Sequence, residues 1–65
     1  MTTATVKKIE AEAAAAGVST KARRIEGTTK WEMCVSHEGV DSSWETRPGS
    51  LRWSIGVVAS MQRQA

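Results

Sequence analysis

Cys34 and His37 are the only thiol and the only imidazole in the chain, so they are the first pair to test for chemistry. A nucleophilic dyad needs sulfur and ring nitrogen within hydrogen-bond reach. Trp31, Met33 and Val35 alternate with Glu32, Cys34 and Ser36, which predicts a strand over residues 30–37. Residues three apart on a strand point to opposite faces and lie about 10 Å apart along it. The two therefore form no dyad unless the strand breaks between them. As metal ligands, Cys-x-x-His gives two of the four that structural zinc takes, and no spacing supplies the others. Cys34 reads as a small side chain on a sheet and His37 as a solvated residue at a strand end.

Glu32, Glu38, Asp41 and Glu45 fall in a stretch without a base. Acid–base catalysis by a pair of them would need burial beside an apolar wall to raise one pKa. A chain of 65 residues has little room for the pocket that requires. Phosphate loops, Gly-x-Ser-x-Gly and His-Glu-x-x-His are absent from the sequence. These features predict a protein that is not an enzyme and uses no metal or cofactor.

Lys21, Arg23, Arg24 and Lys30 form the densest basic group. On a hairpin they could grip phosphates, or pair with Glu26 and Glu32. Net charge is +2, but it is segregated: residues 1–30 carry +3, residues 31–46 carry −4 and residues 47–65 carry +3. A uniform nucleic-acid footprint would not contain that acidic middle. Basic and acidic strands lying side by side account for it better.

The elements that position these groups are legible in part. Residues 4–16 are alanine-rich, with Val6, Ile9, Ala13 and Ala16 on one face, a threonine cap before them and Gly17 after them, which predicts a helix. Residues 20–26 and 30–37 read as a hairpin about the turn Gly27-Thr28-Thr29. The preferred register sets Ile25 opposite Trp31 inside, with Arg24 opposite Glu32 and Glu26 opposite Lys30 outside. Its cost is Arg23 on the inner face. Residues 38–42 are a loop by composition, and 43–47 could form a short strand. Pro48-Gly49 then marks a turn that would place Trp44 opposite Trp53.

Residues 51–61 alternate most clearly: Leu51, Trp53, Ile55, Val57, Ala59 and Met61 are all apolar. That pattern predicts a final strand over 51–60 with Trp53 and Ile55 in the core. A helix capped by Pro48-Gly49-Ser50, with Leu51, Ile55 and Val58 on one face, is the competing reading. Gly56 and the adjacent β-branched Val57 and Val58 weigh against it. The expected architecture is a single α+β domain over 1–65, an N-terminal helix packed on a three- or four-stranded antiparallel sheet.

The chain has three tryptophans and no Phe or Tyr. All three fall on the apolar phases of their predicted strands, where bulk is needed to fill a small core over an alanine face. Trp44, in the short 43–47 segment, is the best candidate for an exposed anchor. The single cysteine excludes an internal disulfide and points to a reducing, cytoplasmic setting. There is no apolar run of membrane-spanning length and no leader-like segment.

In size and general layout the chain resembles the small inhibitor proteins of phages and mobile elements, anti-CRISPR proteins among them. The resemblance carries no motif and transfers no residue. It implies stoichiometric binding to a nuclease or surveillance complex. The small size and the absence of a membrane-length apolar run themselves predict a monomer or homodimer with no membrane partner. The sequence thus predicts a protein-binding inhibitor or adaptor. Its expected surface is charged, drawn from Lys21, Arg23, Arg24 and Lys30 or from Glu38, Asp41, Trp44 and Glu45. A nucleic-acid-binding regulator using the basic hairpin is the alternative.

Overall fold

The computed structural model describes residues 1–64. The order is α1 (Thr3–Ala15), β1 (Ser19–Arg24), β2 (Trp31–His37), β3 (Val40–Asp41) and α2 (Pro48–Gln64). The α+β class and the N-terminal helix are as the sequence predicts, and the sheet is three-stranded and antiparallel in the order β1-β2-β3. The C-terminal element is not.

Helix α1 starts where Thr2 Oγ1 accepts the Thr5 N–H at 3.3 Å. It ends at Gly17, whose φ of 74° lets the Val18 N–H return to the Ala13 carbonyl at 2.8 Å. Its buried side chains are Val6, Ile9 and Ala13. They meet Met33 and Val35 of β2 and Leu51, Ile55 and Ala59 of α2 in one core.

Residues 51–60, expected as a strand, lie inside the 17-residue α2. Periods of two and four coincide in this segment. On a helix, residues two apart sit about 200° apart, so the alternating set splits into two ridges. Leu51, Ile55 and Ala59 face inward and are buried, while Trp53, Val57 and Met61 face outward. Trp53, assigned to the core from sequence, is 72% exposed. Two features favour the helix. Pro48 occupies the first helical position, where its missing N–H costs nothing. In addition, β2 has no vacant edge for another strand. Its outward N–H groups reach Met1 at Trp31, Glu45 at Met33 and Ser42 at Val35. Residues 43–47 accordingly form no strand; Glu45 makes a single bridge to Met33, and the expected Trp44–Trp53 pairing is not made.

The β1–β2 register is one residue from the expected one: Arg24 lies opposite Trp31, Arg23 opposite Glu32 and Ala22 opposite Met33. The turn closes between Ile25 and Lys30, with Thr28 Oγ1 bonded to both residues' backbones. A one-residue slip turns every side chain of β1 over. It puts Ala22 instead of Arg23 opposite Met33 and moves Arg24 to the helix side at the end of the strand, where it is exposed near the Trp31 ring. Arg52 closes the helix pair with an ion pair to Glu12, Nε to Oε2 at 3.1 Å.

The β2–β3 turn is Glu38-Gly39, with φ of 51° and 80°. Both residues in the left-handed region make the two-residue turn whose twist suits a hairpin. Glu38 is the strained member, because a Cβ is disfavoured there. Glu38→Asn is expected to raise stability by up to about 1 kcal/mol in a denaturant melt; a loss would show that the glutamate side chain has a stabilising contact.

Candidate protein-interaction surfaces

The helices cover one face of the sheet. Side chains alternate along the strands, so Lys21, Arg23, Glu32, Cys34, Ser36 and Asp41 share the other face. Lys21 Nζ reaches Asp41 Oδ2 at 3.0 Å, spanning β2. Arg23 pairs with Glu32 and lays its guanidinium over the Trp44 ring, 3.8 Å from the centroid. Cys34 is buried on this face. Burial pushes its thiol pKa up, and the nearby Asp41 carboxylate adds to the rise. That is the opposite of an activated nucleophile.

Four of the sequence-derived site residues, Lys21, Arg23, Asp41 and Trp44, are therefore brought together. The other four are dispersed. Arg24 is on the helix side, 5.3 Å from the Trp31 ring centroid. Lys30 is at the hairpin end, exposed, and among the described residues has no carboxylate partner within ion-pair distance. Glu38 is in the tight turn, 3.8 Å from His37 Nε2, and Glu45 accepts a bond from Ser43 Oγ at 3.3 Å. The cross-strand pairs expected for Arg24 with Glu32 and for Glu26 with Lys30 are replaced by Arg23 with Glu32. Basic β1 and acidic β3 neutralise each other across β2 through Lys21 and Asp41.

Lys21 is the first cause of the lowered Asp41 pKa, with Ser36 second. A carboxyl whose folded pKa lies below its unfolded value contributes stability that is complete above the unfolded pKa. That contribution is lost as pH falls through the folded pKa. The gap in melting temperature between the native protein and Asp41→Asn is therefore expected to be present at neutral pH. It should close on acidification below about pH 4, the ordinary carboxylate range. A gap that persists in strong acid would contradict the pairing.

A second surface was not anticipated from sequence. On α2 the outward ridge Trp53, Val57 and Met61 runs beside Val40 of β3, and these four are the exposed large apolar side chains among the described residues. Between β3 and α2, Val40, Trp53 and Val57 border a groove of about 410 Å³, floored by Val35 and Val58 and rimmed by His37, Glu38 and Asp41; Met61 lies outside it. A surface helix needs one apolar stripe to face its core. The signal available in the sequence is that α2 carries two, and the second does not enter the core. Among the described residues no group of three metal-ligating side chains converges, and no helix is long and apolar enough to cross a membrane.

Comparisons of the chain with protein-family models, with curated proteins and with solved structures return no match.

Proposed function

We propose that the protein is a non-enzymatic protein-binding module, an inhibitor or adaptor that acts by stoichiometric occupancy of a partner. The observation that carries this reading is the exposed ridge of Trp53, Val57 and Met61 beside Val40. Contiguous apolar patches on a small domain mark interaction sites. Tryptophan is among the residue types most enriched in binding hot spots.

The partner is inferred to be a different protein with an apolar pocket edged by basic residues. Glu38, whose side chain is 84% exposed, stands at the rim of the groove and calls for a positive complement. Basic surfaces are characteristic of proteins that handle nucleic acid. This agrees with the phage-type inhibitor reading, in which the target is a nuclease or nucleoprotein complex in the host cytoplasm. The four apolar side chains are the centre of such an interface, and the polar rim supplies the rest of the roughly 800 Å² per partner that a stable complex buries.

The alternative of a nucleic-acid regulator has less support, because the basic side chains of β1 share their sheet face with the carboxylates of Glu32 and Asp41, which repel a phosphate backbone laid across it. The two are separated by capture from host extract with the native protein and with Trp53→Ala, read by quantitative mass spectrometry. The purified captured protein is then rebound to both. A partner retained by the native chain and lost by the variant supports the reading. Equal capture, self-association through the ridge, or strong salt-dependent binding to random nucleic acid in its place would overturn it.

A further inference from the structure

The two edges of the sheet are finished differently. Every outward N–H of β2 that the pattern exposes is taken up: Trp31 exchanges bonds with Met1, Met33 with Glu45, Val35 with Ser42. The opposite edge is β1, which pairs only with β2. In an antiparallel ladder, alternate residues of a strand turn their backbone groups toward the partner. The Ile25 N–H bond to the Lys30 carbonyl, at 3.0 Å, fixes which ones these are. Ser19, Lys21 and Arg23 bond inward. Thr20, Ala22 and Arg24 therefore point their N–H and C=O groups out of the sheet, and no backbone or side-chain group among the described residues meets them.

We infer that the β1 edge receives an extended acidic segment of a partner protein as a fourth strand, held by the free backbone groups of Thr20, Ala22 and Arg24. Strand addition to an open edge gains affinity from main-chain bonds and specificity from the flanking side chains. Those side chains here are basic. Lys21, Arg23 and Arg24 lie within the six residues of the strand, which has no acid. The Lys21 and Arg23 side chains remain 56% exposed despite their ion pairs.

The same charges decide against a second copy of the chain. An antiparallel β1 pair centred on Ala22 would set Lys21 opposite Arg23, and one centred on Lys21 or Arg23 would set identical cations face to face. Like charges directly opposite one another are destabilising, and charged edges are a means by which sheets avoid self-pairing. An acidic strand meets the reverse condition at each position. This contact lies on the edge remote from β3 and does not depend on the α2 ridge.

The test is residue-resolved amide hydrogen exchange by NMR on the full chain. The probes are a synthetic peptide of alternating Glu and Val, the same peptide with Lys in place of Glu, and a short single-stranded oligonucleotide. The expected result is slowed exchange at Thr20, Ala22 and Arg24 with the Glu peptide alone. The effect should be retained in Trp53→Ala, weakened in Arg24→Glu and abolished in Ala22→Pro, which removes the central donor. Should Ala22→Pro fail to fold, Arg24→Glu with the Lys peptide gives the reciprocal readout: protection gained where the native chain shows none. Equal response to both peptides, protection by the oligonucleotide only, protection confined to the ridge, or concentration-dependent protection without peptide would each overturn the inference.

Discussion

Leu51→Ala and Ile55→Ala are each expected to destabilise the protein by about 2–5 kcal/mol, which for a domain of this size approaches or exceeds the whole stability. Leu51 is fully buried and Ile55 is 6% exposed, both facing the α1 side chains Val6, Ile9 and Ala13. Trp53→Ala and Met61→Ala, on the opposite side of the same helix, should fall within about 0.5 kcal/mol of the native protein. The contrast decides the conformation of the segment. A strand would make all the odd positions costly together. A helix makes 51, 55 and 59 sensitive and 53, 57 and 61 tolerant. Urea melts of the single-alanine series measure it, and a large loss at Trp53 would contradict the helix as oriented here.

The second large effect is on binding. Trp53→Ala should weaken partner affinity by about 2–4 kcal/mol, the range of a central aromatic hot spot, while the melt is unchanged. That is roughly 30-fold to nearly 1,000-fold in Kd. Val57→Asp should have a comparable effect, because it places a charge at the centre of the patch beside Glu38 and Asp41. Charge reversal at Lys21 and Arg23 should alter association rate and salt dependence more than residence time. Those two side chains are exposed and already ion-paired.

How far the fold was legible follows from which signals were local. Helix α1 carries its own cap, its alanines and Gly17, all within one segment, and forms where expected. The hairpin also declares itself, and the face of β2 that holds Met33 and Val35 is set by alternation alone. The register is not, because it depends on whether the turn closes around Thr28, and cross-strand charge matching favoured a neighbouring solution of similar quality. Helix α2 was misread for a sharper reason. The sequence Leu51-x-x-x-Ile55-x-x-x-Ala59 satisfies a period of two as well as a period near 3.6, and the interleaved Trp53, Val57 and Met61 completed the strand pattern. What favours the helix is non-local: Leu51, Ile55 and Ala59 share one core with Val6, Ile9 and Ala13 of α1, and Met1, Ser42 and Glu45 occupy the β2 edge.

The same aliasing concealed the candidate site. Assigning every apolar residue to the core left only charge for recognition, so the expected surface was Lys21, Arg23, Arg24 and Lys30 or Glu38, Asp41, Trp44 and Glu45. Once the segment is a helix, half of its apolar residues are released to the surface. Several of the charged residues turn out to satisfy one another instead, as Lys21 does with Asp41 and Arg23 with Glu32 and Trp44. Asp41 and Glu38 retain a role as the rim of the apolar groove.

The most direct measurement of the central claim is a calorimetric titration of the purified partner with the native protein and with Trp53→Ala, after matched melts establish that both are folded. The account predicts saturation at a fixed stoichiometry with the native chain, a negative heat-capacity change from apolar burial, and a Kd at least about 30-fold weaker for the variant. Equal affinities for the two proteins would contradict it and place recognition elsewhere on the molecule.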